Sequence, residues 1–174
     1  MARLRKFTAY KKMERPYTRV SKFKKKSFIK ANPNIVIVRF EMGDPKRKFE
    51  YTFNLISKST LQIRHNALES ARQSSNRVLE HALGTSGYFF KLKVYPYHIL
   101  RENPLASGAG ADRFSTGMAH PFGKPIGKAA QIKKGQIIAS LSVDKAHLQL
   151  AKLAMKRVIY KLPCSCLIEM VKNA

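Results

Sequence analysis

Apolar and polar residues along this chain switch between two-residue and helical spacing, and the switches mark its elements. Ile35-Val36-Ile37-Val38-Arg39-Phe40 is a short apolar, β-branched run and predicts a strand starting near Asn34. Gly43-Asp44-Pro45 predicts a turn. Phe49, Tyr51, Phe53 and Leu55 then alternate with Glu50, Thr52 and Asn54, the pattern of a half-buried strand. Together these predict a hairpin with Lys46, Arg47 and Lys48 near its tip.

Helical spacing follows. A helix capped by Ser57 or Ser59 is predicted to run to about Leu83, with Gly84 as its stop. Leu61, Leu68, Ala71, Val78, Leu79 and Ala82 fall on one face, and Gln62, Glu69, Gln73, Asn76 and Glu80 on the opposite one. Arg64 projects into the apolar sector, so it either reaches past the helix start to solvent or has a specific partner. Tyr88, Phe90, Leu92 and Val94 alternate with Phe89, Lys91, Lys93 and Tyr95 as a third strand.

An irregular segment follows from Pro96 to about Gly127. Ala129 to Ile132, a Lys133-Lys134-Gly135-Gln136 turn and Ile137 to Val143 predict a second hairpin. Asp144 is expected to cap a second helix through about Lys161, with an apolar stripe of Leu148, Ala151, Met155, Val158, Ile159 and Leu162. Pro163 ends that helix, and Cys164 to Val171 reads as the last strand. No internal repeat at a fixed period is seen. The predicted class is α+β: an antiparallel or mixed sheet of hairpins with two amphipathic helices on one face. The predicted organisation is an N-terminal arm over residues 1–33 and one domain over 34–174, with a long loop at 96–128.

Charge gives this fold a partner. The 174 residues hold 34 Lys and Arg against 10 Asp and Glu, a formal net charge of +24. Self-repulsion of that size opposes compaction, and nucleic acids are the commonest cellular polyanions able to offset it. With 44% hydrophobic residues, the excess sits on a globular chain and not on a disordered polycation. Twelve of the basic residues lie within residues 1–30, beside a single acid, Glu14. Phe7, Tyr10, Tyr17, Phe23 and Phe28 are interleaved with them, available either for stacking on bases or riboses or for anchoring the arm to the domain. Cys164 and Cys166, alternating on one strand, are poorly placed for a relaxed disulfide and too few for zinc. They read as small apolar residues in a reducing compartment. No apolar run approaches the length of a membrane span, and the basic N-terminus lacks the apolar core of a secretory signal.

The 96–127 segment exceeds an ordinary connector, and segments of that length are usually functional or disordered. Its glycines allow close backbone approach, and its arginines offer forks that match phosphate. Gly108-Ala109-Gly110 lacks the third glycine and the strand–helix setting of a dinucleotide site. His98, Glu102, Asp112 and His120 show no nucleophile spacing, and His65, His81 and His147 read as surface or core-edge residues. No catalytic residue, cofactor or metal ligand is expected.

Gln62-Ile63-Arg64-His65-Asn66-Ala67-Leu68-Glu69-Ser70-Ala71-Arg72 resembles the first-helix signature of a large-subunit ribosomal protein family. The family is called L-ten-e in archaea and eukaryotes, and its bacterial counterpart is large-subunit protein sixteen. Val94-Tyr95-Pro96-Tyr97-His98-Ile99-Leu100-Arg101-Glu102-Asn103 is similar to the family, as are Gly108-Ala109-Gly110-Ala111-Asp112-Arg113, Gly117-Met118, Phe122-Gly123-Lys124-Pro125 and Lys161-Leu162-Pro163. The resemblance extends from about Tyr17 to the C-terminus. It implies a cytoplasmic, non-enzymatic component of the large subunit. Its place would be on the main rRNA near the base of the central protuberance, beside the transfer-RNA path. The loop would point toward the peptidyl-transferase centre, close to transfer RNA. Neighbouring ribosomal proteins are implied as partners; no membrane and no homo-oligomer are. Phe28 to Asn34 stands where the family usually carries a Gly-x-Pro-Gly-like stretch. The end at Ala174, without the eukaryotic extension, favours an archaeal type.

The expected rRNA-binding arm comprises Arg3, Arg5, Lys6, Lys11, Lys12, Arg15, Arg19, Lys22, Lys24, Lys25 and Lys26. In the loop, Arg101, Asn103, Gly108, Gly110, Asp112, Arg113, Lys124 and Lys128 are the candidate functional residues. Of these, Arg101, Arg113, Lys124 and Lys128 are expected on phosphates. Arg64 and Arg72 are further candidates on the first helix, with a salt bridge to Glu69 as the other fate for Arg72. A free-standing chromatin or transfer-RNA-binding protein, or an RNA-modifying enzyme using the loop, are the alternative readings.

Overall fold

A computed structural model describes residues 5–103 and 123–173. Along the chain come β1 (Glu41–Gly43), β2 (Tyr51–Ser57), β3 (Leu61–Arg64), α1 (His65–Leu83), β4 (Phe89–Leu92) and β5 (His98–Glu102). They are followed by β6 (Lys124–Ile132), β7 (Ile137–Val143), α2 (Leu148–Lys161) and β8 (Cys166–Lys172). Every strand pair among them is antiparallel. The α+β class holds, but the strands form two sheets instead of one: a five-stranded sheet ordered β1-β4-β7-β2-β8 and a three-stranded sheet ordered β3-β6-β5.

Alternation builds the larger sheet as expected. In register, Phe90 of β4 faces Leu141 of β7, which faces Phe53 of β2, and all three are fully buried. Leu92, Ala139 and Leu55 form the adjacent row. The helix α2 packs on β2 and β7, α1 packs on β3 and β6, and the two helices pack on each other. Ala151, Ala154, Met155 and Val158 of α2 and Leu68, Ala71 and Leu79 of α1 are fully buried in the shared core. Gly84 closes α1 with φ +66°, its N–H donating to Glu80 O at 3.0 Å. Val78 is only half-buried and Ala82 is exposed, so the apolar face of α1 is narrower than its sequence predicts.

Several expected elements differ. Residues 61–64 are a strand, so α1 starts at His65 with no side-chain cap, and Ser57 lies at the end of β2. Neither predicted hairpin forms. Gly135 turns the chain with φ +83°, but β6 and β7 enter different sheets, and β1 pairs with β4 and not with β2. Asp144 makes no side-chain cap either. A 3₁₀ turn over Lys145–His147 precedes α2, and the Asp144 carboxylate pairs with Arg47 at 2.5 Å. Within the expected 96–127 loop, β5 and the first residues of β6 are paired strand. Cys164 and Cys166 are free thiols.

The apolar run Ile35 to Phe40 is not a strand. Its inward side chain Ile37 is buried while Val36 and Val38 are 48% and 72% exposed. It is held at two points: Leu92 N–H donates to Phe40 O at 2.8 Å, and Val38 N–H donates to the Glu69 carboxylate at 3.3 Å. Glu69 was expected on the polar face of α1; it is buried there. It accepts two hydrogen bonds from Arg72, at 2.8 and 2.6 Å, and one from Gln73 at 2.8 Å. Those donors, Arg72 first, hold its pKa below the usual carboxylate range against the opposing effect of burial. Gly43 follows with φ +90°, where a Cβ would lie 1.9 Å from Tyr88 O, so the β1–β4 approach requires glycine.

The N-terminal segment lies on the smaller sheet. Gln62 of β3 donates to Tyr10 O and Lys12 O, and Gln131 of β6 donates to Glu14 O. Tyr17 N–H donates to His98 Nδ1 at 2.9 Å, and Ile99 N–H donates to Tyr17 O at 3.3 Å. Burial of His98, with a smaller contribution from Arg101, lowers its pKa against the opposing pull of Glu14. The fold thus favours the neutral imidazole that accepts from Tyr17.

Two predictions follow from this geometry. Replacing Glu69 by Ala leaves a buried guanidinium without its carboxylate, and the loss of unfolding free energy should be ~3–5 kcal/mol by denaturant titration. His98 has a depressed folded-state pKa, so the unfolded chain binds more protons as pH falls below about 6.5, and stability should drop there. His98→Asn keeps an acceptor without titrating. Its thermal midpoint should fall less on acidification from neutral pH than that of the parent chain; an equal fall would remove His98 as the source.

Candidate nucleic-acid interface

All eleven basic residues described between residues 5 and 30 are exposed, while Tyr10 and Ile29 of the same segment are buried. The segment is therefore tied down by its apolar and backbone groups, and its cations face outward. Arg5, Lys6, Lys11, Lys12, Arg15, Arg19, Lys22, Lys24, Lys25 and Lys26 belong to this surface; Arg3 lies outside the described residues. Four of the five rings separate into packed and exposed ones. Phe7 packs against the core and Tyr10 is buried. Phe23 and Phe28 remain 57% and 59% exposed, with Lys22 and Lys26 each 5.3 Å from the Phe23 ring centre.

Arg64 has specific partners. It donates to Arg5 O at 2.9 Å, and its guanidinium lies 5.2 Å from the centre of the Tyr10 ring. The Tyr10 hydroxyl in turn donates to Glu102 at 2.6 Å, and Glu102 also pairs with Arg5. Burial first, and then the Glu102 hydrogen bond, push the Tyr10 phenol up to about 12. This cluster joins the arm to the end of β5. Arg72 is buried against Glu69, the second of the two fates weighed for it. Arg64 and Arg72 thus both hold the protein's own chain.

The loop candidates separate. Arg101 and Asn103 sit at the end of β5, and Arg101 stacks 3.8 Å from the Tyr17 ring centre. Lys124 is exposed at the start of β6, opposite Glu102 in the ladder. Lys128 is buried on β6, and its charge is the second cause, after burial, of the lowered His65 pKa. Gly108, Gly110, Asp112 and Arg113 lie outside the described residues.

A second basic surface was missed from the sequence. Lys152, Lys156, Arg157 and Lys161 are all exposed on α2, around a Tyr160 that is 78% exposed. The signal was present as the complement of the apolar stripe, since helical residues off the core face point to solvent. Among the described residues, no cluster of His, Cys, Asp or Glu suits a metal, and no helix is long and apolar enough to cross a membrane.

Exposed cations on a docked arm, a second basic helix face and exposed rings are features suited to a polyanion with stackable bases. Comparison with known proteins agrees with it. A family model described as ribosomal protein L16p/L10e matches residues 6–169. The large ribosomal subunit protein uL16 of Methanococcus maripaludis strain S2 is 44% identical over 171 residues, covering 98% of this chain and 95% of that protein. That of Archaeoglobus fulgidus is 42% identical over 154 residues, covering 88% and 85%. The match reaches further toward the N-terminus than the motifs that first suggested it, and over that length the chain belongs to the ribosomal protein L16p/L10e family.

Proposed function

We infer that the chain is a structural, non-enzymatic constituent of the large ribosomal subunit, as its family membership implies, and that it binds the main rRNA of that subunit. The observation that carries the rRNA reading is the exposure of the described arm cations on a segment already fastened to the fold. Each exposed Lys or Arg on a phosphate releases condensed counterions, which gives affinity, while the docked backbone fixes where those charges stand. Residues 1–33 act as the rRNA-binding arm and 34–174 as the body that positions it. The exposed cations of α2 provide a second contact face.

The same reading extends to the loop. Arg101 and Lys124 stand at the two ends from which residues 104–122 leave the β5–β6 ladder. On this reading the loop points toward the transfer-RNA path and the peptidyl-transferase centre, with the body near the central protuberance. Its support is the similarity of Gly108 to Arg113 and of Phe122 to Pro125 to the family's loop. Peptide-bond chemistry stays with the RNA.

Sucrose-gradient sedimentation checks the assignment: the chain should remain with large subunits through a moderate salt wash. A chain recovered mostly free or on the nucleoid would indicate a free-standing nucleic-acid binder instead. Replacing Lys24, Lys25 and Lys26 by Ala should weaken binding to large-subunit rRNA and flatten its log–log salt dependence by about 0.7–0.9 per lost phosphate contact. An unchanged slope would mean that these lysines face solvent or protein. Deleting Asn103 to Asp112 should leave rRNA binding largely intact and impair translation or subunit maturation. Loss of incorporation into subunits would make the loop a main anchor.

A further inference from the structure

Beside the arm's docking point on β5 lies an open groove of about 750 Å³, lined by Arg15, Tyr17, Arg19, Phe28 and Arg101, with Glu14 also on its wall. Two of its planar groups are parallel rings, and a guanidinium group lies over each of them. The Tyr17 and Phe28 rings are stacked at 9° with centres 6.3 Å apart. The Arg101 guanidinium lies 3.8 Å from the Tyr17 centre and that of Arg19 lies 4.8 Å from the Phe28 centre. We propose that this groove binds an unpaired RNA nucleotide, whose base stacks on the Phe28 and arginine planes and whose flanking phosphates meet Arg15, Arg19 and Arg101. The proposal deepens the rRNA-binding reading and rests on it.

Three properties of the groove favour this occupant. Its volume falls within the roughly 300–1,000 Å³ of small-ligand pockets, enough for one nucleotide but not for a duplex. Three arginines against one carboxylate suit a phosphodiester. Guanidinium and aromatic planes at the same place suit a base face, which is how single-stranded RNA is held. Phe28 keeps 59% of its surface exposed, although an apolar ring gains from burial.

The groove is also prepared in advance. Tyr17 is fixed through its own N–H to His98 and through its C=O to the Ile99 N–H. Its hydroxyl donates to Phe28 O at 2.9 Å. Phe28 N–H and Ile29 N–H both donate to Arg19 O, at 3.1 and 3.3 Å, closing the excursion 20–27 back on the groove. Little side-chain or loop ordering is left for the binding step to oppose.

The test uses the full chain, a single-stranded oligoadenosine carrying one 2-aminopurine, and a blunt RNA duplex of equal charge. Phe28→Leu keeps bulk and charge but removes the ring. It should lower affinity for the single strand at least about fivefold, as the loss of one stacked base predicts, with duplex affinity and salt slope unchanged. Phe28→Tyr should restore it. Arg19→Lys keeps the charge and loses the plane, and should weaken the single strand more than the duplex. Equal affinity of Phe28→Leu and parent chain for the single strand, or equal losses on both RNAs, would overturn the proposal. An oligoglutamate peptide that loses affinity on Phe28→Leu while the single strand does not would assign the groove to an acidic protein segment, and would also overturn it. Failure here would leave sedimentation with large subunits and the arm's salt slope intact; failure of the rRNA reading would remove both.

Discussion

Carboxylates are scarce in this chain, ten against 34 cations, and the described structure sets several of them where strand pairing is missing. Glu69 holds the unpaired run Ile35 to Phe40 through Val38 while neutralising buried Arg72. Glu102 ties the arm to β5 through Tyr10 and Arg5. Asp144 clasps Arg47, whose other nitrogen donates to Ser86 O, and so closes the segment before β2 onto the start of α2 and the end of α1. A charge-assisted bond contributes more than a neutral one, and a buried carboxylate left unpaired costs more than either. Placing the few acids at these seams leaves most of the Lys and Arg among the described residues exposed. The fold and the polyanion-binding surface are therefore two results of one allocation of charge.

That allocation also explains which parts were legible in the sequence. Rows such as Phe90–Leu141–Phe53 were readable, because one buried sheet face imposes a period of two on each strand separately. The stripe of α2 was readable for the same reason at helical period. What periodicity cannot carry is the identity of the partner. Ile35 to Phe40 has strand composition, yet neighbouring backbone meets it only at Phe40 and a side chain meets it at Val38. The turn at Gly135 reads as a hairpin locally, but β6 and β7 diverge into two sheets, a choice set by pairing with β5 and β4 far away in sequence. The strand β3, four residues long and continuous with α1, presents Leu61 seven residues before Leu68, a spacing that also fits the helix face.

The candidate site was legible as charge and much less as geometry. Composition located the arm, and alternation of rings with lysines pointed to RNA. Neither could separate Tyr10, which anchors, from Phe28, which stays exposed, because both sit in the same kind of local sequence. The difference comes from what lies beneath each ring: β3 and the Glu102 cluster under Tyr10, and the arm's own Tyr17 and Arg19 beside Phe28. Arg64 and Arg72 show the same limit. Each reads as a cation available to phosphate, and each is held by the chain itself, one by Arg5 O and Tyr10, the other by Glu69.

The strand β5 is the element on which these parts converge. His98 and Ile99 hold the arm at Tyr17, Arg101 covers the Tyr17 ring, and Glu102 receives Tyr10 and Arg5. Its pairing with β6 ends at Glu102 opposite Lys124, where the chain departs into the loop. The five residues of β5 thus hold the arm and reach the end of the described β5–β6 ladder. Charge alone would give such a chain affinity for any polyanion. Register on one particular RNA requires groups that recognise shape, and β5 is where the planar groups, the fixed backbone and the loop stem are brought together.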